Sequence, residues 1–243
     1  MSGHNPELWK RNKPILQTDF LVREKIPQQL DKVEGKRILD AGCGEGYVAR
    51  KLRDLGAIVE GFDNDPKMIE LARQAEEGIS NAINYKVGEL AQVHTLYPAN
   101  SFDAVVISGV ICFLDAEELQ DCFNKMYKVI KPERKLLVAT NHTDSFFKKA
   151  KSPWLDYLTE PDPTLDTQKL RLYFNHPNGQ RLFTGECYFH TPRRVIQSME
   201  NAGFEIIAKY EPLATEEDMK QHPHMWKDEV KIPYHLTVVG KKI

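Results

Sequence analysis

The stretch Arg37-Ile38-Leu39-Asp40-Ala41-Gly42-Cys43-Gly44-Glu45-Gly46-Tyr47 decides the fold of this chain of 243 residues. Residues 37–41 are a short, mainly apolar run with an acid near its end, which is typical of a buried parallel strand. The glycines that follow permit a tight turn and let a ligand approach bare backbone. From Tyr47 to Leu55 apolar residues recur at helical spacing. The stretch therefore predicts a strand, a glycine loop and a helix, with a ligand at the carboxyl end of the strand.

The charge of the glycine loop indicates which ligand it binds. A dinucleotide fingerprint has the spacing G-x-G-x-x-G, so that a pyrophosphate rests on the helix N-terminus. Here the spacing is G-x-G-x-G, and Tyr47 stands where the third glycine would be. Asp40 and Glu45 bracket the loop, and two carboxylates there would repel a pyrophosphate and favour a cation. S-adenosylmethionine (SAM) carries an ammonium and a sulfonium. The alternatives are a nucleotide-sugar or nicotinamide enzyme, and a plain turn in another α/β protein.

With these acids the stretch resembles the first motif of the class I SAM-dependent methyltransferases, apolar-apolar-Asp-x-Gly-x-Gly-x-Gly. The resemblance implies an α/β fold: a Rossmann-like, seven-stranded, mostly parallel sheet with an antiparallel last strand, helices on both faces and a small cap. It also implies that the loop around Gly42 and Gly44 wraps the methionine part of SAM. Asp40 would then hold the amino group of SAM.

The next strands supply further residues at their carboxyl ends. Asp63 follows the second predicted strand, roughly twenty residues after the glycine loop, where an acid accepts hydrogen bonds from ribose hydroxyls. By resemblance, Met68 packs on adenine, and Glu89 stands where the family usually has an Asp that meets the adenine edge. The fourth strand is predicted to end at Ser108. The predicted cofactor-binding residues are Asp40, Gly42, Gly44, Asp63, Asn64, Met68, Glu89, Leu90 and Ser108.

The end of the fourth strand distinguishes classes of acceptor. Enzymes that methylate amide or base amino nitrogens often carry an [Asp/Asn]-Pro-Pro-[Tyr/Phe] motif there, and catechol-type enzymes carry a metal-binding acid. The segment Ser108-Gly109-Val110-Ile111 matches neither. We therefore expect a small acceptor in an apolar pocket, methylated on oxygen or nitrogen without a metal. Two alternatives stay open: a non-catalytic SAM-binding or partner-binding protein, and a methyltransferase that acts on a macromolecule.

Amphipathic and alternating patterns predict the domain organisation. Residues 1–34 are expected to form a helical lid, or helices that merely cover the edge of the sheet. Residues 35–243 are expected to form the methyltransferase domain, with a cap inserted at about 145–190. Within the cap, Asn178-Gly179 predicts a hairpin turn. The candidate lining residues of the lid are Trp9, Phe20 and Arg23.

A general base is needed only if the reacting atom of the acceptor carries a proton. Three histidines are candidates: His142, His176 and His190. His142 leads, since it follows the fifth predicted strand, whose carboxyl end faces the predicted site. The alternative for each is an ordinary loop or strand histidine.

Segments near the C-terminus refine the resemblance. Tyr188-Phe189-His190-Thr191-Pro192 before a helix, followed by Ala202-Gly203-Phe204, is similar to small-molecule methyltransferases of the ubiquinone-biosynthesis-like group. The resemblance covers residues 35–140 closely and residues 185–243 loosely, and it leaves the insertion between them uncovered.

Composition and charge restrict the partners. The net charge of −2 gives no basic face for nucleic acid or an anionic membrane. No stretch approaches the length of a membrane span, and the first ten residues lack the apolar core of a signal peptide. The four cysteines are scattered without a C-x-x-C pair, so we expect reduced thiols, no metal site and a cytoplasmic protein. The oligomeric state is left open.

Overall fold

The computed structural model of the chain describes residues 6–148, 155–176, 178–226 and 228–243. The strands of this described part are β1 (Arg37–Ala41), β2 (Ile58–Asp63), β3 (Asn84–Val87), β4 (Phe102–Ser108), β5 (Ile130–Asn141), β6 (Leu155–Tyr157), β7 (Thr167–Asn175), β8 (Arg181–His190), β9 (Phe204–Tyr210) and β10 (His235–Lys242). Its α-helices are α1 (Gln17–Leu21), α2 (Ile26–Gln29), α3 (Tyr47–Asp54), α4 (Pro66–Gln74), α5 (Val93–Leu96), α6 (Ala116–Val129), α7 (Asp144–Phe147), α8 (Pro192–Asn201) and α9 (Glu216–Gln221). None of these described helices has the length and apolar character that crossing a membrane requires.

Seven strands form the main sheet, in the order β3-β2-β1-β4-β5-β10-β9. β1 pairs in parallel with β2 and with β4, whereas β10 runs antiparallel to both of its neighbours, β5 and β9. This arrangement confirms the predicted seven-stranded, mostly parallel sheet with an antiparallel last strand. The order of strands reverses between β1 and β4. A ligand site is expected at such a switch point, outside the carboxyl ends of the strands.

Both faces of the main sheet are buried, which explains why its central strands read as apolar runs. Because side chains alternate along a strand, Ile38 packs into the core on one face and Leu39 into the core on the other. The first core contains residues of α3, α4 and the N-terminal segment, and the second contains residues of α6 and α8. Packing on both faces fixes the positions of the strand ends, and those ends carry the candidate site.

Local signals set where the flanking helices begin. The Asp115 carboxylate accepts hydrogen bonds from the N–H groups of Glu117 and Glu118, and the Glu118 carboxylate accepts one from the N–H of Asp115. This reciprocal pair is the capping box that Asp115 and Glu118 predict for α6. Thr191 caps α8, where its hydroxyl accepts from the N–H of Arg194. These side chains therefore fix where α6 and α8 begin.

A second, three-stranded antiparallel sheet has the order β6-β7-β8. β7 and β8 join at the predicted turn, where Gly179 has a φ of +84° and its N–H donates to the carbonyl of His176 at 2.8 Å. The apolar residues of this sheet form a separate core together with Cys112 and Trp9. This three-stranded sheet, β6-β7-β8, is called the cap sheet below. It packs against the N-terminal segment around Trp9. The domain boundaries drawn from the sequence stay a prediction.

Two elements differ from the sequence-based prediction. β5 begins at Ile130 rather than at Lys135, because Ile130 already pairs with Phe102. Residues 131–134 bulge out between the pair Phe102–Ile130 and the pair Ala104–Lys135, with Glu133 at a φ of +62°. The strand β6 was not predicted, because three residues are too few to show an alternating pattern.

Candidate functional site

A cavity of about 520 Å³ lies at the carboxyl ends of β1, β2, β4 and β5. All nine residues predicted to bind the cofactor line it. They come from β1 and its glycine loop, from the end of β2 and α4, from the segment after β3, and from the end of β4. The fold thus brings together residues that are distant in the sequence, and their role in binding SAM stays a prediction.

The glycine loop presents bare backbone to this cavity. Gly42 and Gly44 have φ values of +76° and +55°, a region that residues with a side chain rarely adopt. The carbonyl of Phe62 holds the loop by accepting hydrogen bonds from the N–H of Gly42 at 2.8 Å and of Cys43 at 2.9 Å. A Cβ on Gly44 would find no atom within 4 Å. A ligand can therefore lie directly against the backbone at this residue.

Asp63 joins the glycine loop to the start of α4. Its Oδ2 accepts a hydrogen bond from the N–H of Gly44 at 2.9 Å, and its Oδ1 accepts one from the N–H of Asp65 at 2.9 Å. A carboxylate offers about four lone-pair sites, so it can accept ribose hydroxyls in addition to these bonds. The predicted ribose contact is therefore compatible with a second role for Asp63, which is to hold the loop in place.

Asp63→Ala should weaken SAM binding by about 1–3 kcal/mol, or roughly 5- to 150-fold, because the hydrogen bonds to the ribose are lost from an enclosed site. Asp63→Asn is the matched control, since it keeps one acceptor oxygen and should lose less affinity. Isothermal titration calorimetry with SAM measures both, and thermal unfolding checks that the variants fold. Wild-type affinity in Asp63→Ala would remove Asp63 from the site.

Asp40 is the acid on which the predicted ligand depends most. The residue is 2% exposed, and its Oδ2 has no hydrogen-bond partner among the described residues. Burial raises the pKa of Asp40 to about 7, while Arg23 and the N–H of Ala49 act in the opposite direction. A ligand ammonium would satisfy Oδ2 and lower the pKa again. The buried, incompletely paired carboxylate thus fits the amino group of SAM.

Glu45, the second acid of the loop, is already neutralised by the protein. Its carboxylate pairs with Arg50 at 2.5 Å and with Arg11 at 3.3 Å, and the side chain is buried. The sequence-based interpretation gave both acids the same task of attracting a cation. The structure separates them: Glu45 anchors two arginines, and Asp40 keeps the unpaired oxygen.

The N-terminal segment contributes to the same wall. Arg23 and Trp9 line the cavity. Arg23 pairs through Nη1 with the buried Asp19 at 2.9 Å, and Arg11 pairs with the same carboxylate at 3.1 Å. Phe20 is not among the described lining residues, and its ring instead packs against Trp226 with the centroids 6.3 Å apart. Of the three lid candidates, two therefore reach the site.

None of the three histidines named from the sequence belongs to the described residues that line the cavity. His142 is buried, and both of its ring nitrogens are engaged. Its Nδ1 accepts a hydrogen bond from the N–H of Asp144 at 2.9 Å, so Nε2 carries the proton and donates to Glu211 at 3.0 Å. These contacts give His142 a structural role at the end of β5.

His190 and His176 have comparable structural contacts. The Nε2 of His190 donates to the carbonyl of Leu114 at 3.0 Å, so Nδ1 accepts from the hydroxyl of Thr167 at 2.9 Å. Burial lowers the pKa of His190, which keeps its ring neutral. His176 lies at the hairpin turn, where Nδ1 accepts from the N–H of Asn178 at 3.2 Å. A catalytic role for these histidines stays a prediction that the geometry does not favour.

One histidine that sequence reasoning missed does line the cavity. His235 is the first residue of β10 and pairs with Asn141, the last residue of β5, which lines the cavity beside it. Because β10 is antiparallel, its beginning rather than its end lies at the carboxyl edge of the parallel strands. The signal was present in the sequence, since an antiparallel last strand places its first residues at the site.

The cavity is also lined by further charged side chains, including Arg11, Asp65, Glu118 and Asp121, and by a group of apolar residues, half of them aromatic. The apolar residues come from the cap sheet and the N-terminal segment: Trp9, Leu16, Leu155, Phe174, Leu182 and Phe183. The amide side chains of Asn141 and Asn175 lie among them. In the part of the chain that the structure describes, no three His, Cys, Asp or Glu side chains are grouped as a metal site requires. The apolar part of the wall therefore suits an uncharged, apolar molecule with a few hydrogen-bonding groups.

Known proteins match the segment that carries the glycine loop. Residues 39–138 match the model of a methyltransferase domain. A sterol 24-C-methyltransferase of Aspergillus fumigatus is 32% identical over 125 residues, which are 50% of this chain and 32% of that protein. A ubiquinone biosynthesis O-methyltransferase of Methylocella silvestris is 40% identical over 79 residues, which are 32% of this chain and 30% of that protein. The chain thus spans only about a third of the length of these relatives.

A solved structure extends the match to most of the chain. A SAM-dependent methyltransferase from Mesorhizobium loti superposes with a TM-score of 0.67, covering 90% of this chain and 96% of that one at 20% sequence identity. At this identity the match establishes the fold. The matched segment 39–138 includes every residue predicted to bind the cofactor. Residues 39–138 therefore resemble a methyltransferase domain, and the chain has the fold of the SAM-dependent methyltransferase from Mesorhizobium loti.

Proposed function

We propose that the protein transfers the methyl group of SAM to an oxygen or nitrogen atom of a small, largely apolar acceptor. The observation that carries this proposal is that one cavity joins the strand ends around Asp40 to the aromatic wall around Phe174 and Phe183. Methyl transfer requires the nucleophile to lie next to the methyl carbon and in line with the leaving sulfur. A continuous cavity allows both molecules to meet in this way.

The cofactor half of the cavity is defined by two acids. In this proposal Asp40 binds the ammonium of SAM and Asp63 binds its ribose hydroxyls. Ser108 Oγ, at the end of β4, is buried and has no hydrogen-bond partner among the described residues, so it can also bind the cofactor. When bound, SAM supplies an activated methyl group on a sulfonium. The protein holds this group at the switch point of the sheet.

The acceptor half favours a neutral molecule. Part of its wall consists of apolar and aromatic side chains, with the amides of Asn141 and Asn175 beside them. Against these apolar side chains a charged acceptor would lose its hydration without gaining a partner charge. Together with the neutral composition of the chain, this supports a metabolite rather than a nucleic acid. Membership of the ubiquinone-biosynthesis-like group is part of the same proposal.

A labelling experiment tests the proposal. The purified protein is first analysed by mass spectrometry for bound SAM or S-adenosylhomocysteine, and SAM affinity is measured by calorimetry. Methyl-labelled SAM and the purified protein are then incubated together with one acceptor pool at a time. The three pools are a small-molecule extract, total tRNA and total protein. We expect label in the small-molecule pool, and roughly 5- to 150-fold less label there with Asp63→Ala at SAM concentrations below its weakened dissociation constant.

Other outcomes would contradict the proposal in distinct ways. Label in the tRNA or protein pool would indicate a macromolecular acceptor. Tight SAM binding without label in any pool would indicate a non-catalytic SAM-binding protein. Absence of SAM binding would overturn the cofactor assignment itself.

A further inference from the structure

His235 is enclosed in the cavity wall without a hydrogen-bonding partner. The residue is 7% exposed, and its ring makes no hydrogen bond with any described residue. His142 and His190, by contrast, have both ring nitrogens engaged. A ligand bound in the cavity can therefore supply a hydrogen-bonding partner for the His235 ring.

The position of His235 along the sheet edge places it on the acceptor side. The edge runs from Asp40 at the end of β1, through Ser108 at the end of β4 and Asn141 at the end of β5, to His235 at the start of β10. Neighbouring strands are about 4.8 Å apart, so His235 lies roughly 10 Å beyond Ser108 along this row. Asp40 and Ser108 belong to the cofactor half. An acceptor bound beyond them would meet the ring of His235.

We propose that His235 takes the proton of an acceptor hydroxyl during methyl transfer, and that the acceptor is an uncharged, apolar alcohol or phenol. This inference rests on the proposed function and narrows it to methylation of oxygen. An amine acceptor is less compatible, because its protonated form would lie close to the positive charge of Arg23, which faces His235.

The proposed step conserves atoms and charge. The hydroxyl oxygen of the acceptor forms a bond to the methyl carbon, the carbon–sulfur bond breaks, and its electron pair stays on sulfur. The proton leaves the oxygen for a ring nitrogen of His235. The positive charge passes from the sulfonium to the imidazolium, which later releases its proton to water. A protonated ether is a far stronger acid than an imidazolium, so even a weakly basic ring can accept this proton.

The surroundings of His235 keep the ring neutral before the reaction. Burial lowers the pKa of His235 to about 3, and Arg23 and His142 act in the same direction, while Asp19 opposes them. A neutral imidazole has one nitrogen free to accept a hydrogen bond. The ring is therefore available as an acceptor at neutral pH without a change of conformation.

The first test uses nuclear magnetic resonance on the wild-type protein and does not depend on turnover. The protein is labelled with 15N-histidine, saturated with S-adenosylhomocysteine and titrated with 1-naphthol or with its methyl ether, 1-methoxynaphthalene. We expect 1-naphthol to shift the 15N signal of the accepting ring nitrogen of His235, because a hydroxyl donates to it. The methyl ether has no donor and should leave that signal in place. The signal is assigned by its absence in His235→Gln or His235→Asn.

The second test separates catalysis from binding. His235→Gln should lower kcat for a hydroxyl acceptor by about 100-fold, while the SAM dissociation constant measured by calorimetry stays at the wild-type value. His222→Gln is the control, since it removes a histidine that packs against Phe20 outside the cavity lining, and it should leave kcat unchanged.

The outcomes distinguish this inference from the proposed function. If the wild-type protein does not bind SAM, the proposed function is overturned. Intact SAM binding overturns only the role of His235 if 1-naphthol leaves its signal unchanged, or if His235→Gln turns over at the wild-type rate. If His235→Gln does not fold, His235→Asn assigns the signal and the naphthol titration of the wild-type protein decides the question.

Discussion

Asp40→Asn should make the ligand-free protein more stable at pH 8 and less able to bind SAM. Burial raises the pKa of Asp40 from 3.8 to about 7. Between these values the unfolded chain has lost the proton and the folded chain has kept it. The free energy of unfolding therefore falls as the pH rises through this window, by about 1.4 kcal/mol per pH unit and about 4 kcal/mol in total.

An asparagine carries no charge to bury, so the variant should escape this loss. Urea unfolding at pH 4 and pH 8 measures the effect. We expect wild type and variant to differ little at pH 4, and the variant to gain up to about 4 kcal/mol at pH 8. If Asp40→Asn is no more stable than wild type at pH 8, burial does not destabilise the charged Asp40 carboxylate in the folded protein.

The affinities of wild type and of Asp40→Asn for SAM provide an independent check. A bound ammonium lowers the pKa of Asp40, so wild-type affinity should be about half-maximal near pH 7 and should fall further as the pH drops towards 5. The amino group of SAM stays protonated in this range, because an α-amino group has a pKa of about 7.7–8.0. In Asp40→Asn the affinity should be low and independent of pH. Equal pH dependence in both proteins would assign the titration to another group.

Gly42→Ala should unfold more easily than Gly44→Ala. The φ of Gly42 is +76°, and an added Cβ would lie 2.4 Å from Cγ2 of Val110. A side chain in this backbone region costs about 1–2 kcal/mol, and overpacking adds about 1–3 kcal/mol. We therefore expect a loss of about 2–5 kcal/mol in the free energy of unfolding, measured with urea.

Gly44→Ala is the matched control for this effect. Its φ of +55° carries a similar backbone cost, but the added Cβ meets no atom within 4 Å. It should lose only about 1–2 kcal/mol of stability, while its methyl group occupies the space predicted for SAM and weakens binding. Val110→Ala should partly rescue Gly42→Ala, because it removes the clashing methyl groups. Equal losses in the two glycine variants, without rescue, would show that backbone strain alone matters.

Local sequence signals were sufficient for the frame of the site. The strand β1, the glycine loop and the capping box at Asp115 are each determined by neighbouring residues, and each was predicted with little error. The strand ends at Asp63 and Ser108 follow from the same alternation of strands and helices. Such signals depend on short-range geometry, which a single sequence displays directly.

The acceptor side could not be predicted in the same way. Sequence places His142 at the end of β5, but it does not show that Asp144 and Glu211 occupy its two ring nitrogens. It shows His235 near the start of a strand, but the contact with the cavity depends on the pairing of β10 between β5 and β9. The three-residue strand β6 leaves no pattern at all. These features arise from contacts between distant segments.

The insertion of β10 between β5 and β9 has a consequence for how such proteins diversify. In the proposed arrangement residues 39–138 contain the cofactor edge, whereas the acceptor wall is assembled from the N-terminal segment, the cap sheet and the first residue of β10. Under this proposal, a protein that keeps residues 39–138 also keeps its methyl donor. Changes in the other segments can then alter which acceptor is methylated. Chimeras that exchange residues 155–190 between homologues, with β1 to β4 untouched, offer a direct way to transplant that choice.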